Sequence, residues 1–131
     1  MAFTTLTGLL GWSVVLLLAQ VVAQAVSVTA AVGLPAAMTP RDGGNTPPTL
    51  VSGRLTRALA NLLETYPAFI ALALGLIVTN KASGLAVTGA QLWLVARVAY
   101  VPIYAAGIPG IRTGVWILSI VGLVMMLYAF A

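Results

Sequence analysis

The chain has no cysteine and no histidine, and only two of its residues are acidic. Without cysteine it can form no disulfide, thiolate metal site or cysteine nucleophile. Without histidine it lacks the usual general base and the commonest metal ligand, so we expect no metal site. Charged residues make up 6% of the 131 residues and hydrophobic residues 61%, whereas a soluble domain is about 25% charged. A water-soluble fold is therefore excluded.

The eight charged side chains are spread along the chain and do not cluster in one solvated stretch. Scattered basic residues in so apolar a chain indicate topology signals and site residues, and we expect no nucleic-acid partner. The charged residues are Arg41, Asp42, Arg54, Arg57, Glu64, Lys81, Arg97 and Arg112.

Four apolar blocks lie at about 6–34, 53–78, 85–106 and 113–131. Each has about the 20 residues that a helix needs to cross a hydrocarbon core. The first is too long for a signal peptide and has no basic segment before it. A turn-rich loop at 38–52 and two short links favour antiparallel neighbours. We predict an all-α membrane protein, a four-transmembrane-helix antiparallel bundle forming one domain over residues 1–131.

The basic residues also predict an orientation. The first loop and its flank hold Arg41, Arg54 and Arg57, and Arg112 follows the third loop, whereas the second loop has only Lys81. The positive-inside rule then places loops one and three in the cytoplasm and both termini outside it. Aromatic residues near the outer surface, Trp12 and Tyr128, are expected at the interface, mainly as lipid or packing contacts.

The second block carries a polar stripe. Arg54, Arg57, Asn61 and Glu64 stand at i, i+3, i+7 and i+10, which is one face of a helix. Such a stripe should face the bundle interior or a wet cavity. Arg54 also fits a snorkelling anchor at the helix start, and for Arg57 anchor and site remain about equally good interpretations. Glu64 falls roughly 16 Å along the helix at 1.5 Å per residue, near the bilayer centre.

Arg97, in the third block, lies at a depth similar to that of Glu64, and we predict an intramembrane ion pair between them. The pair either contributes to a site or only fixes helix register. Tyr100 and Tyr104 follow Arg97 on the same helix face, as packing groups or ligand donors. We expect Arg112 and Thr113 to open the fourth helix with free backbone N–H groups, which favours an anion. Gln20, Gln24 and Ser27 are expected to form interhelical hydrogen bonds.

Two runs resemble a known family. Arg54-x-x-Arg57-Ala-x-x-Asn61-x-x-Glu64-Thr-Tyr-Pro67 is similar to the second-helix signature of the MAPEG family, membrane-associated proteins in eicosanoid and glutathione metabolism. Arg97-Val-Ala-Tyr100-x-x-x-Tyr104, followed by Arg112-Thr113, resembles the second half of that pattern. The resemblance covers essentially the whole chain. It is strongest to the bacterial branch and to microsomal glutathione transferase-like proteins.

The resemblance implies a homotrimer that binds glutathione between neighbouring subunits near the cytoplasmic face of a bacterial inner membrane. It implies Arg112 and Thr113 as the thiol-activating, catalytic pair, and an Arg97 that pairs with the second-helix glutamate. The implied function is a glutathione-dependent transferase or peroxidase acting on a lipophilic electrophile. The implied glutathione-binding residues are Arg57, Asn61, Glu64, Arg97, Tyr100 and Tyr104, with Arg112 beside them.

The chain departs from the family pattern in places that bear on activity. Position 60 is Ala where some members have a second Arg, and position 116 is Trp where several enzymes have a ligand-contacting Tyr. The cytoplasmic end of the first helix has no charge before Arg41. A catalytically silent protein on the same scaffold, a structural subunit and a small four-helix transporter therefore remain alternatives. An essential membrane glutamate in such a transporter must be free to exchange protons, so a Glu64–Arg97 pair would argue against it.

Overall fold

The computed structural model describes residues 1–38 and 49–131, which form five helices. Four of them are long and apolar enough to cross a membrane, and no strand occurs in these two ranges. The predicted fold class, a four-helix membrane bundle, is confirmed. Arg41, Asp42 and most of the first loop lie outside the described residues. The helices are α1 (Leu6–Val32), α2 (Leu34–Ala37), α3 (Leu50–Val78), α4 (Leu85–Ala106) and α5 (Pro109–Tyr128).

Local signals account for both ends of α1. The Thr5 hydroxyl accepts the Gly8 N–H at 3.1 Å, which caps the helix start. Gly33 has a φ of 85°, which is not helical, so α1 ends before it. A glycine suits this position because the conformation is costly for residues with a Cβ. The apolar block expected to reach residue 34 is thus divided between α1 and the short α2.

The helix α3 begins at Leu50, three residues before position 53. Its start is a capping box: Thr49 accepts the Ser52 N–H at 3.0 Å, and Ser52 accepts the Thr49 N–H at 3.1 Å. These bonds satisfy donors that a helix start otherwise leaves without partners. The extra turn places Arg54 within the first turns of the helix and not at its edge.

The helix α5 begins at Pro109, four residues before position 113. Proline is well suited to the first helical position, because its fixed φ is already helical and its missing N–H would have no partner there. Gly107, with a φ of 75°, ends α4 and leaves one residue, Ile108, before α5 begins. Arg112 consequently lies inside the first turn of α5.

The bundle is closed by contacts that differ from one helix pair to the next. Helices α4 and α5 come closest where Gly89 faces Gly122: a Cβ on Gly122 would lie 2.6 Å from the Gly89 carbonyl oxygen. Helices α3 and α4 stack Phe69 on Trp93, with ring centroids 4.0 Å apart. Helices α1 and α3 share a buried hydrogen bond of 2.8 Å between the Ser13 and Tyr66 hydroxyls. Small residues and aromatic or hydroxyl contacts thus replace the hydrophobic drive that is missing between helices in lipid.

The polar residues of α1 act in different ways. Gln24 donates to the Thr56 hydroxyl of α3 at 3.2 Å, which confirms the expected interhelical bond for this residue. Ser27 donates to the Gln24 carbonyl oxygen of its own helix instead. The buried Gln20 side-chain oxygen has no hydrogen-bond partner among the described residues.

We expect Gly122→Ala to lower the free energy of unfolding by about 1–3 kcal/mol, because the new methyl group meets backbone that cannot move aside. Gly114 of the same helix is the matched control. A Cβ there meets nothing within 4 Å, so Gly114→Ala should be neutral or stabilise by about 0.5–1 kcal/mol. Thermal unfolding in detergent, followed by circular dichroism, measures both. Equal effects of the two substitutions would contradict the close α4–α5 contact.

Candidate functional site

A polar cavity of about 410 Å³ opens between α3, α4 and α5. It lies toward the end of the bundle where α4 ends and α5 begins. Three helices contribute its lining at helical spacing, so the residues are brought together by the packing and not by one loop. The lining residues are Arg57, Ala60, Asn61, Glu64, Tyr100, Tyr104, Arg112, Thr113 and Trp116.

Tyr104 lies between two cations. Arg57 Nε donates to the Tyr104 hydroxyl at 3.2 Å, and the Arg112 guanidinium carbon lies 4.8 Å from the centre of the Tyr104 ring. The second contact is a cation–π interaction, which orients a guanidinium without neutralising it. Both arginines therefore keep their charge and most of their N–H donors for a ligand in the cavity.

Arg97 does not line the cavity. Its side chain is 1% exposed, Nη1 donates to Asn61 Oδ1 at 2.8 Å, and the guanidinium carbon lies 4.5 Å from the centre of the Tyr100 ring. Asn61 and Tyr100 thus separate Arg97 from the open space.

The predicted ion pair between Glu64 and Arg97 is wrong. In the part of the chain that the structure describes, no Glu64 oxygen lies within 4.0 Å of an Arg97 guanidinium nitrogen. Glu64 is exposed on the cavity side of α3, whereas Asn61 is half-buried and faces α4. The guanidinium of Arg97 binds Asn61 instead, which precedes Glu64 by three residues on α3.

The start of α5 holds fewer free groups than its sequence indicated. The Arg112 N–H already donates to the Ile108 carbonyl oxygen at 3.1 Å. The Thr113 hydroxyl donates to the Pro109 carbonyl oxygen at 3.1 Å. The helix begins at Pro109, so the expectation of free N–H groups at Arg112 and Thr113 is wrong for Arg112. Arg112 therefore contributes its guanidinium, and not its backbone N–H, to the anion-binding potential of this turn.

Arg54 has a structural contact that the sequence did not indicate. Its Nη1 donates to the Ala105 carbonyl oxygen at 3.0 Å, one of the last carbonyls of α4. A Cβ on Gly107 would lie 2.6 Å from Arg54 Nη2, so the guanidinium packs on the turn before α5. A cation near a helix C-terminus satisfies orphan carbonyls and the helix dipole. Arg54 lies outside the cavity lining.

Trp116, a departure from the family pattern, also lines the cavity. It stands four residues after Arg112, hence on the same face of α5. It also lines a second, apolar groove of about 390 Å³ on the outer side of α5. Its indole Nε1 is buried and has no hydrogen-bond partner among residues 1–38 and 49–131.

Comparison with known proteins adds one finding. The MAPEG family model matches residues 5–131, nearly the whole chain. The chain belongs to the MAPEG family. It is therefore an integral membrane protein of a family that acts in glutathione and eicosanoid metabolism. Neither a curated protein nor a solved structure gave a match.

The MAPEG-derived site residues divide into two groups in the structure. Seven of them line one cavity, and Arg97 lies behind it in contact with two of the seven. The two departures from the family pattern, Ala60 and Trp116, also line this cavity, so they change the space where a ligand would lie. The seven are Arg57, Asn61, Glu64, Tyr100, Tyr104, Arg112 and Thr113.

Double-mutant cycles in detergent should measure a coupling energy of about 1–2 kcal/mol between Asn61 and Arg97, the range for a hydrogen bond to a charged group inside a membrane protein. The cycle uses Asn61→Ala and Arg97→Met. The matched cycle, Glu64→Gln with Arg97→Met, should give less than about 0.5 kcal/mol, as expected for a pair without direct contact. A coupling energy between Glu64 and Arg97 as large as that between Asn61 and Arg97 would show that Glu64 and Arg97 form an ion pair after all.

Proposed function

We propose that this MAPEG protein binds glutathione in the polar cavity and directs its thiol against a lipophilic electrophile or hydroperoxide. The observation that carries the proposal is the convergence of the family's site residues, from α3, α4 and α5, on one cavity of about 410 Å³. That volume lies within the range of about 300–1,000 Å³ typical of small-molecule sites.

The charges of the cavity fit the chemistry of glutathione, which has two carboxylates, one ammonium and one thiol. Arg57 and Arg112 offer two guanidinium groups to the carboxylates or the sulfur. Neither has a carboxylate within 4.0 Å in the described part of the chain. Glu64, exposed and not paired with Arg97, offers its carboxylate to the ammonium. A dicarboxylate without an ammonium group would leave Glu64 without a partner.

Arg112 is the residue that we assign to the thiol. When bound, glutathione supplies a sulfur nucleophile whose thiol has a pKa near 8.5, so most of it is protonated at neutral pH. Arg112 would have to contribute about 2.7 kcal/mol of charge stabilisation to lower that pKa by about two units. A guanidinium in a site that excludes much of the water can supply this amount.

Thr113 contributes less than Arg112 to stabilising the thiolate. Its hydroxyl proton is engaged with the Pro109 carbonyl oxygen. To donate to a sulfur anion the hydroxyl would first have to leave that bond, which offsets most of its gain. Thr113 therefore shapes the cavity wall more than it stabilises charge.

The second substrate would approach through the apolar groove on α5. This groove meets the polar cavity at Trp116 and continues past Ile117, Ile120 and Val124. Because the groove is apolar and its residues Ile117 and Val124 are exposed, it would admit a lipophilic compound from the bilayer. Trp116 places an aromatic face at the junction, where an electrophilic centre would meet the thiol.

We also propose that the protein acts as a homotrimer in a bacterial inner membrane. The α3 residues Arg57, Ala60, Glu64, Pro67 and Ala71 are all exposed and lie on one helix face. A carboxylate and a guanidinium on such a face are costly against lipid, and the small residues allow another helix to come close. Copies of the chain that cover this face would also close the open side of the cavity.

Isothermal titration of glutathione into the purified protein in detergent tests the proposal, together with the rate of conjugation to chlorodinitrobenzene. We expect Arg112→Gln to lower kcat/KM about 100-fold, the usual effect of removing a charge-stabilising donor. Thr113→Val should change it by less than about 3-fold. Lys81→Gln, which removes a cation at the opposite end of the bundle, is the control and should be unchanged.

Absence of glutathione binding at millimolar concentration, together with absence of conjugation and of hydroperoxide reduction, would refute the proposal. The runner-up is a small transporter for lipophilic cations, because the structure leaves Glu64 exposed and unpaired with Arg97. Titration with tetraphenylphosphonium under the same conditions separates the two. Binding of the cation without glutathione would favour the transporter, and binding of neither would favour a silent or structural protein.

The predicted orientation is tested with reporter fusions in a bacterial host. A periplasmic reporter such as alkaline phosphatase should be active when fused after Ala131 or after Lys81, and inactive after Gly107. The physical reason is the excess of arginine around the first and third loops. A cytoplasmic signal from the Ala131 fusion would reverse the orientation.

A further inference from the structure

The hydrogen bond between Arg97 and Asn61 has a direction that follows from chemistry alone. Arginine is only a donor, so the Asn61 atom that faces it has to be the carboxamide oxygen. The two ends of an asparagine carboxamide are otherwise hard to tell apart and are assigned from such partners. With Oδ1 engaged by Arg97 Nη1 at 2.8 Å, the other end of the carboxamide is Nδ2, a donor of two N–H groups.

Asn61 is also a lining residue of the polar cavity. We propose that Arg97 is a positioning residue: it holds the Asn61 oxygen inside the bundle and thereby presents the Asn61 NH2 group to the cavity, for a carboxylate of the bound ligand. This inference rests on the proposed binding of glutathione. It gives Arg97 a role that requires no contact with the ligand.

Because Arg97 is buried, the Asn61 carboxamide is strongly held in this orientation. The Arg97 side chain is 1% exposed, and Nε and Nη2 have no hydrogen-bond partner among the described residues. Asn61 is thus its one described hydrogen-bond partner, and the Tyr100 ring is its other polar contact. Rotating the Asn61 carboxamide would turn an NH2 group toward a buried guanidinium and leave Nη1 unsatisfied as well, which costs several kcal/mol for a charged group.

The orientation also sets the polarity of the cavity. Arg57, Arg112 and the Asn61 NH2 all donate, and Glu64 is the only carboxylate in the lining. A zwitterionic ligand is then bound in one direction, with its ammonium toward Glu64 and a carboxylate toward Asn61. With the oxygen of Asn61 outward instead, the same wall would repel that carboxylate.

Asn61→Asp separates positioning from structural support. Aspartate keeps the shape of asparagine and strengthens the bond to Arg97, but it presents an oxygen to the cavity in place of NH2. We expect this variant to be at least as stable as the wild type and to bind glutathione at least 10-fold more weakly in isothermal titration. Wild-type affinity in Asn61→Asp would overturn the inference.

Two substitutions at Arg97 complete the test. Arg97→Lys keeps a cationic, donor-only group, so its affinity for glutathione should stay within about 3-fold of the wild type. Arg97→Met removes the donor and should bind glutathione at least 10-fold more weakly. Gln24→Leu, which breaks the α1–α3 bond to Thr56 outside the cavity, controls for loosened packing and should bind normally. A stable Arg97→Met protein with wild-type affinity would also overturn the inference. If Arg97→Met fails to fold, Asn61→Asp decides, because it retains the partner of Arg97.

A measurement without glutathione distinguishes failure of the inference from failure of the proposed function. The chain has three asparagines, Asn45, Asn61 and Asn80, so selective ¹⁵N-asparagine labelling gives three side-chain NH2 signals, and Asn61→Asp assigns one of them. We expect a water-soluble paramagnetic reagent to broaden the Asn61 signal in the wild type. An Asn61 signal that the reagent leaves sharp would refute the inward-oxygen orientation, whatever the protein binds.

Discussion

A guanidinium inside an apolar bundle has to be solvated by the protein, because neither water nor lipid can do so at that depth. Arg97 is in this position, and its hydrogen bond to Asn61 and its contact with the Tyr100 ring are the described solvating contacts. The cost of an unsatisfied charge in such surroundings ties α3 to α4 at this level. Because both contacts are with residues that line the cavity, the geometry of the site depends on how the bundle solvates this charge.

The third wall of the cavity depends on two other contacts. Gly89 and Gly122 bring the backbones of α4 and α5 together, which fixes the distance between the helices that carry Tyr104 and Arg112. Arg54 donates to the Ala105 carbonyl oxygen near the end of α4 and packs on Gly107, so the short turn before Pro109 has little freedom. The backbone at Arg112 is therefore held in place, and its guanidinium lies over the Tyr104 ring. The contacts that fix these helices lie outside the cavity, whereas Arg57, Glu64 and Arg112 line it.

Much of this could be predicted from the sequence, because helical periodicity and apolar length are local properties. The spacing of Arg57, Asn61 and Glu64 predicted one face of one helix, and all three line the cavity. The pairing of Arg97 was not predictable in the same way. Sequence gives the depth of a residue along a helix, but its direction toward a neighbouring helix depends on how the two helices rotate during packing. The helix α5 begins four residues before the apolar block at 113–131, because proline, which usually interrupts helices, also suits the first helical position.

Because Arg97 binds Asn61 and not Glu64, the glutamate has a different place in the site. Had the two formed an ion pair, the only carboxylate of the cavity lining would have been consumed by the scaffold, and the remaining charges would all be positive. With Asn61 solvating Arg97, Glu64 stays available, and the cavity has both signs of charge at separate positions. A neutral amide can satisfy a buried cation through its oxygen while its NH2 group remains a donor, which a carboxylate cannot do. The asparagine therefore allows one wall to stabilise a buried arginine and to bind an anionic ligand group at the same time.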